Sequence, residues 1–230
     1  MKQTGNKNIH FSIILVLILL ASCGTKPVDK SQEIAATASP KTTTANQSNK
    51  VTGAKTEQVK FNSDNGSEAF SLKPESNGAK FVDGKGKELA HLTINKNQKV
   101  KIKDAADKVL GYVVKKEGYW KVEDANQSKE LYVLRRQRDG DYKLEDGTNN
   151  EIYRIKTRAS GLEIESPAKK SLYKVKVKEG KTSLKNDLDK TLFSTKSNFL
   201  PIAVACFGFD KLSREQQAAL SYAVNVSGGQ

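Results

Sequence analysis

The chain has 230 residues, a formal net charge of +13 at pH 7 and a mean hydropathy of −0.60. It contains two cysteines, Cys23 and Cys206, and two histidines, His10 and His91. These counts exclude a disulfide-rich fold and a multi-histidine or Cys-His zinc centre, so we expect no metal and no cofactor. The charge favours anionic partners such as phospholipid headgroups, cell-wall polymers or nucleic acid, although evenly spread lysines are also typical of a plain solvated surface.

The N-terminal segment is typical of a signal peptide. Lys2 and Lys7 precede the apolar run Phe11–Leu20, which is about half the length that a membrane-spanning helix needs. The tetrapeptide Leu20–Cys23 then resembles the bacterial lipobox, whose cysteine thiol receives a diacylglycerol before cleavage. We therefore predict a signal peptide over residues 1–22; the alternative is a plain secretory signal with an incidental cysteine.

Cleavage would make Cys23 the lipidated N-terminus of the mature protein. The predicted localisation is the bacterial cell envelope, with the protein held by this lipid on a membrane that faces the periplasm or the exterior. Gly24 carries no acidic retention signal for an inner membrane, so sorting to an outer membrane is compatible with the sequence.

Residues 23–66 are predicted to form a disordered tether. The segment is rich in Thr, Ser, Ala, Asn and Lys and shows no hydrophobic periodicity, so it cannot bury enough apolar surface to offset the entropy of ordering. The folded domain is expected to begin near residue 67 and to continue to residue 230.

The domain is built from a short unit that recurs at nearly constant spacing. Each unit is an alternating strand of the form Φ-x-Φ-x-Asp/Asn/Ser, a polar turn, and a second strand rich in Leu, Tyr and Val. The polar anchor residues are Asp83, Asp104, Asp124, Asp146, Ser166 and Asn186. Such period-2 segments bounded by turn-forming residues predict six β-hairpins, with a further edge strand at Phe70–Leu72.

Twelve short strands with charged outward positions predict a closed, water-soluble antiparallel β-barrel. A transmembrane barrel is excluded because its strands are longer and its outer face is apolar. A propeller is excluded because it needs four strands per blade. The expected fold class is therefore mainly β, with about twelve short strands surrounding a filler for the lumen.

The filler is predicted to be the apolar segment Asn198–Leu212. Pro201 suits the first turn of a helix, and Ser213 with Gln216 forms a capping-box pattern that starts a second helix, about Arg214 to Val224. The first helix is expected to plug the barrel and the second to cover it from outside as a lid, with the helical region spanning about residues 199–225.

This pattern of six hairpins followed by a hydrophobic helix resembles the tubby C-terminal-like superfamily, which includes the LURP-one-related proteins and the phospholipid scramblases. The resemblance covers roughly Phe70 to Val226 and lies in architecture, without a fingerprint motif. It implies a twelve-stranded barrel threaded by a C-terminal helix, and a membrane-associated role. No binding residues carry over to this chain.

The densest basic patch in the sequence surrounds Arg135, Arg136 and Arg138, with further basic turns at Lys169 and Lys170 and at Lys115 and Lys116. Arginine forks and lysines suit phosphate or carboxylate, so the first five are candidate anion-binding residues. Nucleic acid is not an expected partner, because the tyrosines lie among core-forming aliphatic residues and the predicted location is outside the cytoplasm.

No nucleophile elbow, phosphate-binding glycine loop or Ser-His-Asp set is present, and a hydrolase would need a carboxylate beside His91. The leading hypothesis is a non-enzymatic, lipid-anchored envelope protein whose barrel binds an anionic lipid surface, a cell-wall polymer or an unidentified protein. The alternative is lipid binding, lipid transport or scrambling through the barrel.

Overall fold

The computed structural model describes residues 57–230. The signal peptide, Cys23 and most of the predicted tether lie outside this range. The described region contains fourteen β-strands, a short α-helix, a turn of 3-10 helix and a longer α-helix. The strands are β1 Val59–Asn62, β2 Glu68–Glu75, β3 Gly78–Asp83, β4 Glu88–Ile94, β5 Val100–Lys103, β6 Val109–Lys116, β7 Tyr119–Glu123, β8 Glu130–Arg136, β9 Tyr142–Asp146, β10 Glu151–Arg158, β11 Gly161–Glu165, β12 Ser171–Lys178, β13 Lys181–Asn186 and β14 Thr191–Thr195.

The strands form one closed antiparallel barrel. Each strand pairs with its neighbour in sequence, and β1 pairs with β14 to complete the ring. The mainly β fold class and the closed antiparallel barrel predicted from the sequence are therefore confirmed, with fourteen strands in place of about twelve.

The two strands beyond the six predicted hairpins form a seventh hairpin at the start of the barrel: β2 contains the edge strand predicted at Phe70–Leu72, and β1 was not predicted. The barrel begins at Val59, whereas the tether was expected to continue to residue 66. Val59 to Ser63 reads VKFNS and fits the repeat, with Ser63 in the anchor position one unit before Asp83. Phe61 is fully buried, so a single aromatic residue is enough to make this polar stretch part of the core.

Turns alternate between the two rims of the barrel. The far rim carries the turns that join β1–β2, β3–β4, β5–β6, β7–β8, β9–β10, β11–β12 and β13–β14. The near rim carries the remaining turns, and the chain enters the barrel there at Val59. Every anchor residue lies at the start of a far-rim turn; in most of these turns the anchor side chain accepts backbone N–H groups two and four residues later, as Asp83 does from Lys85 and Lys87 at 2.9 Å each.

The far-rim turns share a backbone conformation that the sequence pattern did not indicate. The residue three positions after each anchor has positive φ, as in Asp107 at 64° and Lys169 at 61°. Each far-rim hairpin of the described barrel also contains a β-bulge beside its turn. This is the geometry of a type I turn followed by a left-handed bulge residue, and the added twist bends the sheet toward closure.

The lumen is filled by the C-terminal segment. Helix α1, Pro201–Ala205, starts with Pro201 as predicted and is followed by a 3-10 turn, Cys206–Gly208. Helix α2, Arg214–Val226, begins at the predicted capping box of Ser213 and Gln216. Helix α1 contacts β11 to β13, α2 contacts β4 to β7, and the two helices contact each other.

The prediction that the second helix forms an external lid is wrong. Residues on all sides of α2 are buried, including Ala218, Ala219 and Leu220 with no exposed surface. The Ser221 hydroxyl donates to the Ala203 carbonyl at 2.7 Å, and the buried Gln217 amide donates to the Phe209 carbonyl at 2.9 Å. Small side chains allow the helices to approach closely, and these internal bonds satisfy polar groups that otherwise suggest a solvated face.

Among residues 57–230, no helix has the length and apolar character required to cross a bilayer.

Candidate anion-binding site

A basic cavity opens on the near rim, where the β4–β5 turn, the β6–β7 turn and the end of β8 meet. Its volume is about 640 Å³. Four cationic side chains line it, and Glu117 is the only acidic side chain among the lining residues. The cations are Lys96, Lys115, Lys116 and Arg136.

Local backbone structure holds these side chains in place. Asn95 accepts the Asn97 and Lys99 N–H groups at 3.0 Å each, which fixes the turn that carries Lys96. Gly118 has φ of 75° and closes the tight β6–β7 turn, and its carbonyl accepts the Arg136 N–H at 2.8 Å. The β6–β7 turn and the end of β8 are therefore joined by a backbone hydrogen bond, while the β4–β5 turn is held by its own internal bonds.

Gln230 lines the cavity together with the lysine turns. The Tyr142 hydroxyl donates to the Gly229 carbonyl at 3.0 Å, next to Gln230, which lines the cavity. Burial raises the pKa of Tyr142, although the nearby Arg136 charge acts in the opposite direction. The phenol therefore remains a neutral hydrogen-bond donor at physiological pH and keeps this segment in position.

The four cations of the cavity have no ion-pair partner within residues 57–230. Cations on the outer wall of the barrel differ, because many of them meet a carboxylate: Arg135 pairs with Glu145 at 3.2 Å, and Lys156 pairs with Asp141 at 2.9 Å. The positive charge of this cavity is therefore not neutralised by carboxylates of the described residues, and a bound anion could pair with it directly.

The five anion-binding candidates from the sequence do not form one site. Arg136 lines the near-rim cavity, whereas Arg135 stacks 4.8 Å from the Tyr119 ring centroid and is held by Glu145. Arg138 belongs to the β8–β9 turn of the near rim but is not among the residues that line the cavity.

Lys169 and Lys170 lie on the far rim, in the turn between β11 and β12. Lys169 lines a separate cavity of about 310 Å³ together with Arg154 and Lys156, and the Lys170 N–H donates to the Ser166 hydroxyl at 3.2 Å. These two lysines are therefore separated from Arg136 by the full height of the barrel.

Sequence reasoning missed Lys96 and the grouping of the cavity lysines, although the repeat contained the signal. Lys96, Lys116 and Arg136 follow one another at equal intervals, each interval being the length of one hairpin unit. Residues one unit apart occupy equivalent places on neighbouring hairpins, so cations at this spacing are expected on the same rim.

His91 has a carboxylate neighbour, as the hydrolase hypothesis required. Its Nε2 lies 2.7 Å from an oxygen of Glu75, and Lys80 contacts the same carboxylate group at 3.6 Å. The three side chains lie on the outer wall of β2 to β4, and His91 is absent from the linings of the cavities described for residues 57–230. The contact is accounted for as part of the polar network of the wall, in which Lys80 also meets Glu75.

No group of three or more His, Cys, Asp or Glu side chains within the described part of the chain is arranged to hold a metal ion. Cys206 is fully buried among core residues, and this burial raises the pKa of its thiol. The thiol therefore stays protonated and unreactive.

Comparisons with known proteins do not identify a family for this chain. No family model matches the chain, and no curated protein matches it. An X-ray structure of a protein from Arabidopsis thaliana aligns over 68% of this chain and 91% of its own, with 12% identity and a TM-score of 0.38. A likeness this weak supports no inference about function.

Proposed function

We propose that this protein is a non-enzymatic, lipid-anchored component of the bacterial cell envelope whose barrel binds an anionic surface through the near-rim cavity. The observation that carries the proposal is the cavity itself, where Lys96, Lys115, Lys116 and Arg136 converge without carboxylate partners in residues 57–230. Clustered, unpaired cations attract phosphate-bearing surfaces by a long-range, salt-sensitive force.

The path of the chain supports an orientation in which the near rim faces the membrane. The barrel is entered at Val59 on the near rim, so a lipid on Cys23 would be connected to the same rim that carries the cations. Sorting of the anchored protein to an outer membrane remains part of the proposal, on the basis of Gly24.

We also propose that the chain is a divergent relative of the tubby C-terminal-like superfamily. The support is architectural: a closed antiparallel barrel built from consecutive hairpins surrounds a hydrophobic C-terminal helix. This relationship favours a role at a membrane but does not indicate which ligand the protein binds.

The packing of the lumen weighs against the alternative of lipid transport or scrambling through the barrel. Inward side chains such as Trp120, Leu134 and Ile155 have no accessible surface, and Ala203 to Cys206 of the inner segment have none either. Surface binding needs no opening of this core, whereas passage of an acyl chain would require the helices to leave it.

Vesicle binding tests the surface proposal. The mature chain from residue 23, carrying Cys23→Ser so that neither the apolar signal segment nor an attached lipid supplies the binding, is titrated with vesicles that contain or lack anionic phospholipid. We expect stronger binding to the anionic vesicles, weakening with added salt, and loss of that difference in the double variant Lys116→Glu/Arg136→Glu. The matched control Lys169→Glu/Lys170→Glu makes the same change of charge on the far rim and should retain it. If both variants lose the preference for anionic vesicles equally, that preference depends on net charge alone and not on the near-rim cavity.

Lipidation has its own test. Cells that express the chain are fed an alkyne-tagged fatty acid, and labelled protein is detected on a gel. We expect label in the wild type and in Cys206→Ser, and no label in Cys23→Ser. Label that persists in Cys23→Ser would refute the anchor.

A further inference from the structure

A second basic site lies on the side wall of the barrel, away from the near-rim cavity. It is a groove of about 750 Å³ that follows the outer faces of β12 and β13 to the end of β14. Five lysines line it, and Glu179 is the only acidic residue among the lining side chains. The lysines are Lys176, Lys178, Lys181, Lys185 and Lys196.

The strand register places like charges side by side in this groove. Lys178 lies directly opposite Lys181, and Lys185 lies directly opposite Lys174, which is outside the lining and pairs with Asp189 at 3.6 Å. Cross-strand pairs of like charge destabilise a sheet. Between β10 and β11 the register instead places Arg154 opposite Glu165.

Most of this charge has no carboxylate partner, although Lys176 donates to the Ser160 hydroxyl at 3.3 Å and Lys185 to the Asp189 carbonyl at 3.1 Å. Lys176, Lys181, Lys185 and Lys196 form no ion pair within residues 57–230, while Lys178 meets Glu179 at 3.5 Å through side chains that are both more than four-fifths exposed. A bound anion would neutralise the four lysines that lack a carboxylate partner in the described residues and would reduce the repulsion between Lys178 and Lys181.

The shape of the groove favours a chain over a flat surface. Lysines along β12 recur every second residue, about 6.7 Å apart, and form a row along the wall. Between the lysines lie hydroxyls that can donate to an anion: Thr191, and Ser183, which is only 9% exposed. A bilayer would contact the protruding lysines only, whereas an extended polymer can also reach the hydroxyls below them.

The residue types narrow the ligand chemistry. All the cations are lysines, which bind phosphate as point charges. No aromatic side chain lines the groove, so it lacks the stacking platform on which single-stranded nucleic acids depend. We propose that the groove binds a linear polyanion with phosphodiester charges and no bases, lying along β12 and β13.

The test uses the mature chain from residue 23 carrying Cys23→Ser and synthetic poly(glycerol phosphate) as the probe, with binding measured by calorimetry at several salt concentrations. Lys176→Gln/Lys181→Gln should weaken binding about tenfold or more and should lower the salt dependence of log K by about one for each lysine removed. Lys169→Gln/Lys170→Gln removes the same charge from the far rim and should leave binding unchanged. Thermal melts of all variants establish that they are folded.

Two further arms separate this site from the near-rim cavity and from membrane binding. Monomeric glycerol phosphate should bind much more weakly than the polymer, and Lys116→Glu/Arg136→Glu should keep most of the polymer affinity. The groove variant should still bind anionic vesicles. Unchanged polymer binding in the groove variant overturns the proposal, as does loss of vesicle binding confined to that variant, which would assign the groove to membrane contact. If the near-rim cavity proves not to bind vesicles, the polymer experiment still tests the groove, because it uses a different probe and different variants.

Discussion

The ring of Phe61 in β1 lies against the ring of Phe207 in the 3-10 turn, with centroids 5.1 Å apart. Phe61 also stacks on Phe70 at 4.6 Å and meets Phe193 edge-on at 5.7 Å. The first strand of the barrel is thus attached to its next strand, to its last strand and to the inner segment through one side chain. Closure of the barrel and filling of its lumen therefore depend on the same aromatic cluster.

Replacing Phe61 by alanine should destabilise the barrel by about 3–5 kcal/mol, because it removes a fully buried ring and leaves a cavity. The measurement is the free energy of unfolding in urea. Lys60→Ala is the control on the same strand: its side chain is 57% exposed and pairs with Glu68, so its loss should cost less than about 1 kcal/mol. Equal stability of Phe61→Ala and the wild type would mean that β1 does not belong to the core, as the predicted tether boundary at residue 66 implied.

Ala205→Asp should prevent folding. Ala205 has no exposed surface and lies in α1 inside the barrel, so the new carboxylate would be desolvated at a cost of several kcal/mol, comparable with the total stability of a domain. We expect insoluble protein or the loss of a cooperative unfolding transition. The control Leu188→Asp alters a side chain that is 82% exposed and should fold normally. A soluble, cooperatively unfolding Ala205→Asp variant would contradict the placement of α1 in the lumen.

The hairpin repeat made the barrel predictable because turn chemistry is local. Asp83 and the other anchors form the turn hydrogen bonds expected from their side chains, and alternation along each strand determines which face is buried. The same rule applied to Val59–Ser63 would have found the seventh hairpin. Composition was misleading there, since a polar neighbourhood concealed one buried aromatic residue.

The surface chemistry was less predictable because it depends on register. Whether Arg135 is neutralised is decided by Glu145 on the next strand, and a bulge of one residue changes which side chains face each other. The buried position of α2 was also not predictable, because its polar residues look solvent-exposed in the sequence but form their hydrogen bonds inside the protein. The regular spacing of Lys96, Lys116 and Arg136 was readable from the sequence, but the absence of carboxylate partners was not.

Lys169→Gly should stabilise the protein by about 1 kcal/mol or slightly less. Lys169 has φ of 61°, a left-handed conformation that costs an L-residue roughly 1–2 kcal/mol and that glycine adopts without this cost. Glycine also raises the conformational entropy of the unfolded chain, which offsets part of the stabilisation. The measurement is the midpoint of thermal unfolding. Lys170→Gly, at the next position, removes the same charge without relieving the backbone and should not raise the midpoint. A fall in stability of Lys169→Gly would indicate that the lysine side chain contributes more than its strained backbone costs.

Asp146 should make the stability of the barrel dependent on acidic pH. Its carboxylate accepts hydrogen bonds from the Thr148 hydroxyl at 2.7 Å, the Thr148 N–H at 2.8 Å and the Asn150 N–H at 3.0 Å. These bonds, with that from the Thr148 side chain as the largest contribution, hold the pKa of Asp146 well below its ordinary range. Because the folded pKa is lower than the unfolded value of about 3.9, the stabilisation is complete at neutral pH and is lost as pH falls below about 4.

Asp146→Asn isolates the charge, because an asparagine anchor can form the same turn, as Asn186 does with the N–H groups of Leu188 and Lys190. We expect Asp146→Asn to melt at a lower temperature than the wild type at pH 7, and the difference to shrink between pH 5 and pH 2. Asp187→Asn removes a carboxylate from another far-rim turn without removing a turn hydrogen bond, and so controls for net charge. A melting difference for Asp146→Asn that stays constant over this pH range would show that the ionised carboxylate adds nothing to the turn beyond its geometry.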